Sequence, residues 1–236
     1  MSASGYSQRN ARSRKDSSIR QAGKIYAFVL PSAQYTLQTG FAVSNAGNAA
    51  FYTSNRKDEN ISNVTSSLND SQKKQFFIPL EPNIWLNENN FNILTDWNFY
   101  IFPQYTFGLG GFPIELDGYP INYNYLKLYQ TVLKIIAPDF YLGLGYDSDN
   151  LWNIRQVNLR ADTVTNWDKY GFSSSSKSSG PTLNFLYYGQ RNLINPFPGY
   201  YANLVLRSNF TFMGSDYNWS SLLVDLRKYL HFPCFR

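Results

Sequence analysis

The chain has little of what most catalytic or metal-binding proteins are built from. It carries one cysteine and one histidine in 236 residues, Cys234 and His231, so a disulfide framework and a dense Cys/His metal centre are both excluded. Long apolar runs are missing as well. The greasiest stretches, such as Phe76-Phe77-Ile78-Pro79-Leu80, break within a few positions, whereas a membrane-spanning helix needs about 20 apolar residues. No G-x-S-x-G elbow or Ser-His-Asp order is present. The Gly108-Leu109-Gly110-Gly111 run lacks the Lys-Ser/Thr that a phosphate loop requires, and reads as a flexible turn. These absences point away from an enzyme, and no cofactor is expected. Charge is sparse too, at 16% of residues. Much of the net +5 sits in the tail, where Arg9, Arg12, Arg14, Lys15 and Arg20 lie among Ser, Gln and Asn. That composition reads as a disordered basic tail over residues 1–23, with no nucleic-acid partner implied. The tail shows no apolar signal-peptide core, so an exported chain would need a native start further upstream.

Aromatics are what the chain has in excess, at 18% of residues within a hydrophobic share of 43%. The mean hydropathy is nonetheless −0.37, so the apolar residues must be interleaved with polar ones. Strict interleaving is the signature of strands with one apolar and one wet face. Between Tyr200 and Met213, one face carries Ala202, Leu204, Leu206, Phe210 and Phe212, and the other Asn203, Arg207, Asn209 and Thr211. The next segment sets Leu222, Val224, Leu226, Leu230 and Phe232 against Ser221, Asp225, Arg227 and His231. Phe91 to Phe102 sets Phe91, Ile93, Trp97, Phe99 and Ile101 against Asn92, Asp96 and Asn98. Asp139 to Asp147 sets Phe140, Leu142, Leu144 and Tyr146 against Tyr141, Gly143 and Gly145, whose small residues would leave room in a lumen. Ile121 to Ile136 separates less well, because Lys127 and Lys134 fall on different faces. Pro79 and Pro82 imply a bulge or a strand end. Turn-like clusters divide residues 24–236 into about nine strands, several of them longer than the modal five or six residues of soluble sheets.

The pattern predicts an all-β, antiparallel up-and-down transmembrane β-barrel, since lipid admits sheets only as closed barrels. On that reading Asp96, Arg207, Asp225 and Arg227 are candidates for a luminal charge network. Trp85, Trp97, Tyr200 and Trp219 are candidates for the aromatic girdles at the membrane interfaces. Asp147-Ser148-Asp149-Asn150 lacks calcium-loop spacing and reads as a hairpin turn, and Ser173 to Ser179 as a mobile loop at the cell surface.

A family resemblance becomes specific between Gly180 and Phe232. The matching residues are Gly180, Pro181, Tyr188, Arg191, Asn195, Pro196, Gly199 and Tyr201, followed by Gly214, Ser215, Asp216, Trp219, Asp225, Arg227 and Tyr229. In this order they resemble the strand and turn motifs of the bacterial surface-antigen family, the BamA/TamA-like outer-membrane barrels. Gly189, Gln190, Asn192, Leu193 and Val224 depart from the pattern. More loosely, Pro31 to Thr36 with Thr39-Gly40-Phe41 resembles the family's first strand, and Tyr105 to Gly110 one of its turns. The resemblance implies a barrel of about sixteen strands, an even number of the kind such proteins use, with only the front part present here. It also implies a place in the outer membrane of a Gram-negative bacterium, outer-membrane lipid and unfolded outer-membrane proteins as partners, and a role in inserting or translocating those clients. Periplasmic (POTRA) repeats and the family's Arg-Gly-[Phe/Tyr] loop are absent from the sequence. The alternative is a secreted β-sandwich that uses exposed Tyr and Trp to bind carbohydrate or to adhere.

Overall fold

A computed structural model of the chain describes residues 23–55, 59–106, 118–157, 165, 167–168, 171–188 and 199–229. They form one antiparallel sheet of eleven strands. In chain order these are β1 (Tyr26–Thr36), β2 (Gly40–Phe51), β3 (Ser62–Ser71), β4 (Phe76–Leu86), β5 (Phe91–Ile101), β6 (Gln104–Thr106), β7 (Tyr119–Ala137), β8 (Phe140–Gln156), β9 (Ser176–Tyr188), β10 (Gly199–Asn209) and β11 (Trp219–Tyr229). Each strand pairs with the next, except that the short β6 lies beside the start of β7 and β5 pairs directly with β7. β1 and β11 are the two edges, and no hydrogen-bonded pairing joins them. The all-β, up-and-down reading holds in this form. No second sheet exists among the described residues, so the sandwich alternative lacks its second layer.

Local chemistry explains the connections. The β7–β8 turn is only Pro138-Asp139, with Asp139 at φ 61°. Proline cannot extend the β7 ladder, and aspartate tolerates the left-handed conformation that a tight hairpin needs. The β4–β5 turn uses Asn87, Glu88 and Asn89, all at positive φ. Within β8, Asn153 at φ 55° marks a bulge, where the register with β7 slips between Asn122 and Asn124. The slip leaves Lys127 and Lys134 in one unbroken register, opposite Asn98 and Phe91, so the two lysines stand on opposite faces through parity alone.

The expected strands, about nine, number eleven among the described residues, and four further sequence expectations change. β4 runs unbroken through Pro79 and Pro82 with no change of register, though pairing with β5 lapses between Leu80 and Asn83. Pro79 still contributes its carbonyl, which accepts a hydrogen bond from the Ser66 hydroxyl at 2.8 Å. Asp147 to Asn150 is not a turn but lies inside β8, and the end of the Ser173 to Ser179 run forms the start of β9. The room beside Gly143 and Gly145 is also filled. A Cβ on Gly143 would strike the Leu133 side chain and the Val132 carbonyl, and one on Gly145 would strike Thr182 and the Gln130 carbonyl. The 1–23 tail up to residue 22, the Gly108 to Gly111 run, His231 and Cys234 lie outside the described residues.

Candidate functional site

One unbroken register row shows how the faces continue from strand to strand. It runs from Tyr26 through Ala50, Asn63, Asn83, Leu94, Thr131, Gly145, Thr182 and Arg207 to Ser221. Paired residues share a face, and much of this row lines a single cavity of about 790 Å³ that also receives Asp96, Tyr129, Asp147 and Leu223. The row therefore marks the concave side of a curved sheet.

The concave side is polar and buried. Asn92 and Asn209 are 1% exposed, Thr182 3% and Arg207 7%. The convex side is apolar and open, with Leu144 at 71%, Leu226 at 73% and Leu222 at 58% exposure. A water-soluble sheet has the opposite arrangement, its apolar face covered and its polar face wet. The apolar residues packed inside form one small cluster of Trp85, Leu133, Tyr141 and Leu186, with Leu94, Ile135 and Tyr201 against it.

Arg207 is the hub of the concave face. β10 presents it beside Asn209, whose side-chain oxygen accepts from Nε at 3.0 Å. Its Nη2 pairs with Asp149 Oδ2 at 2.7 Å, while Nη1 donates to the Tyr129 hydroxyl at 2.8 Å and stands 3.9 Å from Asp147 Oδ2. The Tyr129 hydroxyl in turn donates to Asp149 at 2.9 Å, and Tyr125 donates to the same carboxylate. The guanidinium also lies 5.2 Å from the ring centres of both Tyr129 and Trp219, within cation–π range. The cluster thus ties β7, β8, β10 and β11 together across the concave surface. Its ions are nearly buried, with Arg207, Asp147 and Asp149 side chains 8%, 10% and 15% exposed. Buried charges of this kind persist because each is paired and hydrogen-bonded.

Asp96 lies on β5, next along the concave face. It pairs with Lys127 and accepts from Asn98, and Lys127 sits 4.4 Å over the Tyr129 ring. Asp225 and Arg227 pair with each other on β11, at a more exposed place. The four charged residues picked out in sequence therefore share one face but belong to three separate charge clusters. Asp147, Asp149, Lys127, Tyr125 and Tyr129 complete the clusters, and sequence reasoning missed them as partners. The Asp147 to Asn150 cluster was the available signal, read there as a turn.

The four aromatic candidates divide between the faces. Trp97 and Tyr200 point outward, 41% and 57% exposed. Trp85 is 4% exposed and meets Tyr141 edge-on at 5.7 Å inside the concavity, so it takes no part in an outer girdle. Trp219 also belongs to the concave face, where its ring nitrogen donates to the Ser178 hydroxyl at 3.2 Å beside Arg207. The parity of the register sets this division, and Ile84 and Leu86 face outward in place of Trp85.

The Gly214-Ser215-Asp216 motif acts as a turn device. Gly214 takes φ 95°, and the Asp216 carboxylate accepts from the Lys177 backbone N–H at 2.7 Å, docking the β10–β11 link on the start of β9. Between β8 and β9, Thr165 and Asp168 bond reciprocally: the Thr165 N–H donates to the carboxylate at 2.8 Å, and the Asp168 N–H to the Thr165 hydroxyl at 3.3 Å. The bonds from the Thr165 backbone and hydroxyl hold the Asp168 carboxyl below its ordinary pKa. Among the described residues, no group of three or more His, Cys, Asp or Glu side chains could hold a metal ion. Neither a family model, a curated protein nor a solved structure matches the chain.

Proposed function

We propose that the sheet is the wall of an outer-membrane β-barrel, with its convex face against lipid and its concave face lining the lumen. The observation that carries this reading is the inversion of polarity. A row of buried Asn, Thr, Asp and Arg faces inward, while Leu, Val and Phe stand exposed along the outside. Strand length supports it. The eleven residues of β5, at about 3.4 Å per residue and a tilt of about 40°, climb about 29 Å, enough for the roughly 25 Å apolar band of such barrels. On β11 the outward Leu222, Val224 and Leu226 are bracketed by Ser220 and Lys228, as a lipid-facing band flanked by polar ends requires. Bacterial barrels of this build lie in the outer membrane. The surface-antigen resemblance of the Gly180 to Phe232 motifs adds outer-membrane protein insertion or translocation as the role.

The test is to fractionate bacteria expressing the native gene and run the protein, boiled and unboiled, on semi-native gels. A protein that sediments with outer membranes and migrates faster before boiling supports the wall. One that stays in the soluble fraction with identical mobilities overturns it.

A further inference from the structure

Among the described residues, no strand pairs with the outer side of either edge strand, β1 or β11. In lipid, an open edge leaves backbone donors and acceptors with nothing to bond. We propose that β1 and β11 pair with each other, closing the ten strands of the main path into a barrel of a single chain, smaller than the sixteen-stranded one that the surface-antigen resemblance implies. The driving force rests on the lipid-facing reading above, but the geometry stands independently of it.

Parity permits the pairing. Ten strands lie on the path, an even number, so β1 and β11 run antiparallel as closure demands, and each is eleven residues long. Curvature favours it. Strands about 4.8 Å apart and tilted by about 40° close at a radius of about 10 Å for ten strands, about 16 Å for sixteen and about 20 Å for the twenty that two copies would supply. Trp85 of β4 and Tyr141 of β8, three places apart in the sheet, bring their ring centres within 5.7 Å. Asn63 of β3 and Leu223 of β11 line the same cavity, as expected if those strands are three places apart around a ring of ten. Both observations fit the tightest of the three circles.

The strands are also staggered as closure requires. The register row that starts at Tyr26 reaches Ser221, eight residues short of Tyr229, which lies at Tyr26's own end of the sheet. A barrel needs such a displacement, close to its strand number, so that its strands tilt and meet in register. Closure would also cover apolar surface on the concave face. Phe28 and Leu30 share the concave face with Asn48 and Ala46 yet are 55% and 59% exposed, and the concave Leu223 of β11 is 55% exposed. Pairing the edges puts these apolar side chains inside.

Cysteine pairs test the proposal in full-length protein carrying Cys234→Ser. A stagger of eight places Ala33 opposite Leu222, and one of ten places it opposite Val224. All three face outward, so Ala33→Cys is combined with Leu222→Cys or with Val224→Cys. Ala33→Cys with Val43→Cys, a registered pair of β1 and β2, is the positive control. Each variant is oxidised in lipid vesicles and run without reductant. Closure gives a cross-link within one chain for at least one β1–β11 pair, in half or more of the molecules, reversed by reductant. A cross-link joining two chains, or none while the control pair forms, overturns closure. The same samples run unboiled keep the two proposals apart: a within-chain cross-link in protein that never enters the vesicles supports closure and sinks the lipid-facing wall.

Discussion

At the scale of the residue, the concave charges divide by how much water they retain. Arg207 faces two nearly buried carboxylates and two aromatic rings, so removing it leaves Asp149 and Asp147 with uncompensated charge. Arg207→Met keeps the aliphatic bulk and should cost about 3–5 kcal/mol, the typical loss on breaking a buried pair. Arg227 is 57% exposed where it meets Asp225, and Arg227→Ala should cost far less than the loss of Arg207. Urea unfolding of lipid-refolded protein, followed by tryptophan fluorescence, measures both; equal losses would contradict the hub. Asp168 provides a pH test. Its carboxyl is held below the ordinary value of 3.8, so its contribution to the β8–β9 connection is full above that pH and fades as pH falls through the lowered value. Trp167, packed on Phe172 at 4.8 Å, should report this as a fluorescence change below about pH 4. Asp168→Asn should abolish that transition.

At the scale of the element, alternation was legible wherever a strand kept strict parity. The faces of β10 and β11 stand as the sequence pattern places them over 199–209 and 219–229. Beyond Asn209 the alternation continues in sequence, but the chain turns into a short 3-10 turn at Thr211–Met213, because local polarity does not encode where a strand stops. The reverse happened at Asp147 to Asn150. Four polar residues in a row satisfy the local rules for a turn, yet they stay extended because β7 pairs along their length and Arg207 neutralises their carboxylates. Those partners lie about 20 and 60 positions away in sequence, set by a register that no single segment reveals. The same limit hid the orientation of Trp85. Parity also makes a direct prediction about the convex face. Leu144 is 71% exposed, and in a water-soluble sheet Leu144→Arg would change stability by no more than about 0.5 kcal/mol. Against lipid it should cost about 2–4 kcal/mol. Equilibrium unfolding from vesicles separates these values.

At the scale of the whole molecule, the fold is a conventional antiparallel sheet with its polarity inverted. The curvature encloses Asn, Thr, Asp and Arg side chains around a cavity of about 790 Å³, while the apolar surface stays outside. Exposed apolar area of this extent marks a surface that meets something other than water. Two of the five tryptophans sit where that medium can be read directly: Trp97 on the convex face and Trp85 on the concave one. The decisive measurement is fluorescence quenching of two single-tryptophan proteins, one retaining Trp97 and one retaining Trp85, in bilayers whose acyl chains carry bromine. Strong quenching of Trp97 with Trp85 left bright is the expected result. A Trp97 that stays as bright as Trp85 would contradict the lipid-facing wall.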